Sequence, residues 1–172
     1  MKNFQIIDRE TGESYWISRS LAVVTVLLKT GKEGRCETLL QRRGPGCPDE
    51  VGKLCCSCGY LGWDETLKEA AIRELYEETG ITVKPENVRD YKLVDDPNSD
   101  KRQNVTVRFI AFLDKTEIGQ KESTDTESRG GERGEVSELI WMPLDEAVKL
   151  SDAEFAFGHR KLLEDVKRLL DK

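Results

Sequence analysis

The sequence predicts one mixed domain of the α/β (α+β) class, and three observations support it. A Val- and Leu-rich run, Leu21–Leu28, reads as a buried strand. A later segment alternates, with Val105, Val107, Phe109 and Ala111 pointing one way, as a strand covered on one face does. Two further stretches repeat apolar residues at helical spacing. The chain has 172 residues, 37% hydrophobic and 35% charged. That is long enough to bury a core, and not so poor in apolar residues as to be generally disordered. A single domain over residues 1–172 is expected.

The elements follow in order. Phe4–Ile7 and Tyr15–Ser18 flank a polar turn with Thr11-Gly12, so residues 1–18 are expected to form an N-terminal hairpin, a decoration on the domain. After the core strand, Lys29–Arg35 is a charged loop and Cys36–Arg42 the next strand. Gly44 to Gly52, with Pro45 and Pro48, is a connection. Asp64 to Gly80 is the clearest element, with Leu67, Ala70, Ala71, Leu75 and Tyr76 at helical spacing. Asp64 can cap it, or Thr66 with Glu69 can form a capping box. Gly80 supplies the left-handed stop. Strands are expected near Val88–Val94 and Val105–Leu113, separated by the turn-rich Asp95–Lys101. Residues 114–134 form a polar stretch with Ile118 as its only large aliphatic residue, expected to be a mobile loop. Leu139–Met142 reads as a short strand and Pro143–Leu150 begins a small helix. Ala153–Leu170 reads as an amphipathic terminal helix burying Phe155, Leu162, Leu163, Val166, Leu169 and Leu170.

Charge and cysteine content narrow the function. Lys and Arg total 27 against 33 Asp and Glu, a net charge of −6. Such a chain is ill suited to holding nucleic acid through its phosphates, so no nucleic-acid partner is expected. The start lacks the apolar stretch of a signal peptide, and the longest apolar run is too short to cross a bilayer. No membrane partner and a cytoplasmic location are expected. Of five cysteines, Cys47, Cys55, Cys56 and Cys58 could be weighed as a zinc set, but the spacing does not match paired C-x-x-C knuckles. Reduced thiols in a packed strand are the expectation.

The chemistry concentrates between Gly59 and Ile81. Glu74, Glu77 and Glu78 stand at i, i+3 and i+4 on one helix, so their carboxylates share a face. Acidic residues at that spacing most often face solvent with i,i+4 partners. Three like charges so close repel, however, unless a cation lies among them, and hard oxygen donors suit Mg²⁺ or Mn²⁺. Arg73, four residues from both Glu69 and Glu77, could orient a carboxylate through its fork.

The order Gly59, five residues, Glu65, seven residues, then Arg73-Glu74-Leu75-Tyr76-Glu77-Glu78-Thr79-Gly80-Ile81 resembles the Nudix box position for position. The resemblance implies the Nudix fold, a mixed sheet sandwiched between helices (α/β/α). It implies a metal-dependent hydrolase that cleaves the pyrophosphate of a nucleoside diphosphate linked to another moiety. Glu74, Glu77, Glu78 and the Cys58 backbone carbonyl would hold Mg²⁺ (or Mn²⁺). Arg73 would hold the box glutamates, Glu65 would brace them, Gly59 would allow the tight turn, and Gly80 would end the helix. The general base would be a box glutamate or a downstream one, with Glu135 favoured over Glu132 and Glu138. The resemblance also allows a homodimer. Ser57-Cys58 stands where many members have Pro-Gly, and Asp64 where Gly is usual, so the loop shape and the substrate fit are left open.

Substrate contacts are less constrained. Arg42 and Arg43 end a strand near the expected pocket and could meet phosphate. Tyr60, Trp63, Phe109 and Trp141 could stack on a base, although packing is the more ordinary role. His159, the one histidine, is expected at the surface. Two rival readings stand beside the hydrolase. One is a nucleotide-sensing module without catalysis, disfavoured by the complete set of box glutamates. The other is an isopentenyl diphosphate isomerase-like enzyme, suggested by Leu54-Cys55-Cys56-Ser57 but at odds with a single histidine.

Overall fold

The computed structural model describes residues 3–99, 102–114, 116–117 and 120–172. Ile118 and the end of the expected Asp95–Lys101 loop lie outside them. Nine strands and three α-helices are present among the described residues.

β1 (Phe4–Ile7) and β2 (Ser14–Ile17) pair antiparallel as a separate two-stranded ribbon. The main sheet is built on β3 (Leu21–Thr30), whose alternate residues supply both cores. Val23 and Leu27 pack on one side with Ala70, Ala71 and Leu75, while Val24, Val26 and Leu28 pack on the other with Leu162, Leu163 and Val166. This is the period-2 rule of a strand buried on both faces. β4 (Cys36–Arg43) runs antiparallel to β3, β5 (Leu54–Cys55) pairs with β4, and β6 (Ser57–Tyr60) pairs with β3. β7 (Val88–Val94) pairs with β8 (Val105–Phe112), which lies parallel to β3, and β9 (Val136–Pro143) lies against β4. The result is a mixed sheet between α1 (Leu67–Thr79) on one face and α2 (Leu144–Ala147) with α3 (His159–Leu170) on the other.

Four expectations are corrected. α1 begins at Leu67 rather than Asp64, because the Thr66–Glu69 capping box closes its first turn. β9 extends beyond Leu139–Met142 because β4 pairs along most of its length. The cysteine-rich segment, expected as a packed strand, is divided into β5 and β6, because β5 pairs with β4 and β6 with β3. The terminal helix begins at His159: Phe157 and Gly158 adopt φ of 54° and 68°, which no α-helix carries through. Phe155 is buried ahead of the helix, where the Ala156 amide donates to the Leu54 carbonyl at 2.9 Å, and Leu169 and Leu170 are exposed.

Candidate active site

β6 delivers the chain into the loop before α1, and the two elements press together. A Cβ on Gly59 would fall 2.1 Å from the Glu74 carboxyl carbon, so only glycine lets that carboxylate lie on the strand. Gly80 sits at φ 76° and its amide donates to the Tyr76 carbonyl at 2.8 Å, ending α1.

Arg73 is the centre of the acidic face. Its Nε and Nη2 donate to the two oxygens of Glu65 at 2.9 and 2.7 Å, a fork-to-fork pair. Its Nη1 donates to Glu74 at 2.8 Å and to Glu77 at 3.0 Å, and its Nη2 also donates to the Tyr60 carbonyl at 3.0 Å. The Gly62 amide donates to Glu65 at 2.6 Å. Glu69, which spacing offered as an Arg73 partner, is spent on the Thr66 cap instead. Glu78 turns inward: it is 5% exposed and accepts from the Cys58 amide at 3.0 Å.

The electrostatics follow from burial. Desolvation pushes the Glu78 carboxyl well above the usual carboxylate range, and the neighbouring Cys55 thiol adds to the rise. Desolvation also raises Glu74, against the pull of the Arg73 guanidinium. Glu65 is held low by its hydrogen bonds from Arg73. One guanidinium therefore serves three carboxylates, and a fourth is buried behind them. This donor set is hard, oxygen-only and short of positive charge, which fits Mg²⁺ or Mn²⁺. Among the described residues, no three Asp, Glu, His or Cys side chains converge at ligand spacing. Arg73 draws Glu74 and Glu77 to itself, so binding a metal requires these carboxylates to turn from it.

Glu135 reaches the same cleft through a glycine contact. A Cβ on Gly44 or Gly46 would fall about 2 Å from the carbonyls of Gly134 and Arg133 respectively, and the Gly44 amide donates to the Glu135 carbonyl at 2.6 Å. The Glu132 amide donates to the Glu135 carboxylate at 3.1 Å. Burial raises the Glu135 carboxyl, and the nearby Glu132 and Glu77 charges raise it further. Glu132 also lines the cleft, whereas Glu138 pairs with Arg42 at 2.8 Å.

The cleft has a volume of ≈ 810 Å³ and is lined by Cys58, Gly59, Arg73, Glu74, Glu77 and Glu135 together with Arg43, Tyr60, Arg102 and Phe157. Arg43 is brought to it and Arg42 is not. Trp63 is 90% exposed and meets Tyr15 edge-on at 5.8 Å. Phe109 is in the core, and Trp141 lies under the Lys29 ammonium and donates to Glu122 at 2.6 Å. His159 is the clearest correction: it is 3% exposed, and its Nδ1 accepts from the Cys56 amide at 3.1 Å. Burial drives its pKa down to about 3, so it stands neutral.

Sequence reasoning missed Arg129. Its guanidinium donates to the carbonyls of Tyr76 at 2.9 Å, Glu77 at 3.0 Å and Ser123 at 2.9 Å, capping the C-terminus of α1. The one signal for it is that the last turn of α1 has no basic residue of its own.

The NUDIX domain family model matches residues 19–166. The NUDIX domain of Shewanella oneidensis NrtR complexed with ADP ribose is similar at TM-score 0.70 and 22% identity, covering 90% of each chain. NrtR complexed with a 27mer DNA is similar at TM-score 0.65 and 24% identity, covering 87% of this chain and 61% of that one. A bifunctional NMN adenylyltransferase/ADP ribose pyrophosphatase from Francisella tularensis, complexed with AMP and Mn ion, is similar at TM-score 0.64 and 18% identity, covering 90% of this chain and 42% of that one. At these identities the likeness is one of fold. Comparison with curated proteins gives no match.

Proposed function

The chain belongs to the NUDIX domain family, and from that premise we propose that it is a hydrolase that splits the pyrophosphate linkage of a nucleoside diphosphate derivative with water. One observation carries the reading: Glu65, Glu74 and Glu77 crowd a single cation, Arg73, with Glu78 buried behind them, beside a cleft that Glu135 enters from another part of the chain. Residues 1–172 act as one unit, with the hairpin of residues 1–18 as an addition to it.

Glu74, Glu77, Glu78 and the Cys58 carbonyl are the groups that would hold Mg²⁺ or Mn²⁺. Such an ion supplies charge that offsets the diphosphate and lowers the pKa of water. Arg73 keeps Glu74 and Glu77 aligned on one side of the cleft, and Glu65 anchors Arg73 in turn. Glu135 would accept the proton of the attacking water as the new P–O bond forms and the anhydride P–O bond breaks. Its raised pKa brings it nearer to neutral pH than an ordinary carboxylate, which suits a base.

The test is phosphate or nucleotide release from a panel of nucleoside diphosphate compounds, with and without Mg²⁺. Mg²⁺-dependent cleavage of at least one compound is expected. Nucleotide binding without turnover would replace this reading with a sensing module, the reading favoured by the likeness to the DNA-bound NrtR.

A further inference from the structure

Beyond the acidic face, the lining of the cleft changes character. Tyr60 is 46% exposed, and Phe157 is 36% exposed. The Arg43 guanidinium lies 4.8 Å from the centre of the Phe157 ring and that of Arg102 lies 5.8 Å from it. Both guanidiniums converge on Asp49: Arg43 at 3.2 Å, and Arg102 at 2.5 Å. Asn104 Nδ2 stands 3.5 Å from the Tyr60 hydroxyl. Phe157 holds its place at φ 54°, a left-handed backbone that a bulky residue adopts only where its surroundings impose it.

We propose that Tyr60, Phe157 and Arg102, with Asn104 at the rim, form a subsite that receives the flat heteroaromatic ring of the substrate's nucleobase. This rests on the pyrophosphohydrolase reading for the placement of the phosphates at the acidic face. The chemistry favours a ring over a further phosphate. Arg43 and Arg102 share one carboxylate, so much of their charge is already offset and their donors toward Asp49 are spent. What the region presents is planar surface: two aromatic rings and a guanidinium, the surfaces on which bases stack. The Asn104 amide offers a donor and an acceptor at the ring edge, the pair that reads a base edge. The strain at Phe157 points the same way. A backbone relaxed by glycine would be the easier solution if the ring served only to fill space.

The test compares binding of AMP, GMP, CMP and UMP with that of ribose 5-phosphate by titration calorimetry in Mg²⁺. At least one nucleotide is expected to bind about tenfold or more tightly than the base-free probe. Tyr60→Ala and Phe157→Gly are each expected to remove most of that advantage while ribose 5-phosphate binds as before. Phe157→Gly also relieves the left-handed backbone, which offsets part of the ring packing on Arg43 and His159 that it removes, and it stands in if Tyr60→Ala fails to fold. Equal binding of ribose 5-phosphate and all four nucleotides, or no binding of any, overturns the proposal. So does an advantage that survives Phe157→Gly. Nucleotide binding that depends on Phe157, in a protein that hydrolyses none of the diphosphate panel, sinks the hydrolase reading and leaves the subsite standing.

Discussion

α1 and α3 are helices of similar length, 13 and 12 residues, but α1 carries four acids against two cations and α3 two acids against four, and the two use their acids in opposite ways. On α3, each acid meets a nearby cation on its own helix: Arg160 pairs with Glu164 at 2.8 Å, Arg168 with Asp165 at 2.5 Å, and Lys167 with Asp171, just past the last turn, at 2.8 Å. On α1, Arg73 alone serves Glu65, Glu74 and Glu77, and Glu78 is buried with no cation of its own. The ratio of acids to local cations, and the burial of the surplus, separates a solvated face from one that lacks a counter-ion.

Removing carboxylates from α1 should break the contrast most sharply. Glu77→Gln or Glu78→Gln is expected to lower turnover about a thousandfold or more. In chelator, Glu78→Gln should melt no lower than the parent, because the charged form it replaces is disfavoured by burial. Full turnover in either variant would place α1 in the same class as α3. Next in size is the ion itself. Mn²⁺ at a hundredfold excess over its Kd should stabilise the parent by about 2.7 kcal/mol, and the Glu77→Gln/Glu78→Gln double variant by almost nothing, as read by thermal melting.

Glu135→Gln tests whether the charge that joins α1 from elsewhere belongs to the same machinery. A rate loss of about a hundredfold is expected. A base must be deprotonated, and the Glu135 pKa is raised, so the parent should lose activity on acidification at a higher pH than an ordinary carboxylate would dictate. That limb should vanish in the variant, and a profile of unchanged shape would move the base elsewhere.

His159 concerns the α3 side of the sheet. Its folded pKa of about 3 lies below the unfolded value of about 6.5. Between those values the unfolded chain takes up a proton that the folded one refuses, so stability falls as pH drops below about 6.5. His159→Gln keeps an acceptor for the Cys56 amide and should flatten the fall in melting temperature between pH 7 and 5 relative to the parent. The smallest effect belongs to α3 itself. Glu164→Gln should cost less than about 0.5 kcal/mol and leave turnover within about twofold.

Much of this was legible in the sequence because it is local. The apolar run of β3, the alternation in β8, the Thr66–Glu69 capping box, the left-handed Gly80 and the single face shared by Glu74, Glu77 and Glu78 all follow from residues within a few positions of one another. The division of the cysteine-rich segment into β5 and β6 was hidden, because it is set by pairing with two different strands. Arg42 and Arg43 are adjacent in sequence but diverge, since successive side chains of a strand leave on opposite sides, and only Arg43 faces the cleft. His159 looked like a surface residue because nothing near it in the chain announces the Cys56 amide it accepts from.

The sequence by itself determined most of the strands and helices and the helical face where acids gather, because period, capping and turn chemistry are properties of short segments. Only the tertiary structure decided that Gly44 and Gly46 seat Glu135 in the cleft, that Arg129 caps α1, and that Phe157 and Arg102 meet over Asp49. Those contacts join distant parts of the chain at atomic range. Which distant groups meet is settled by how the whole core packs, a quantity that no short window of sequence contains.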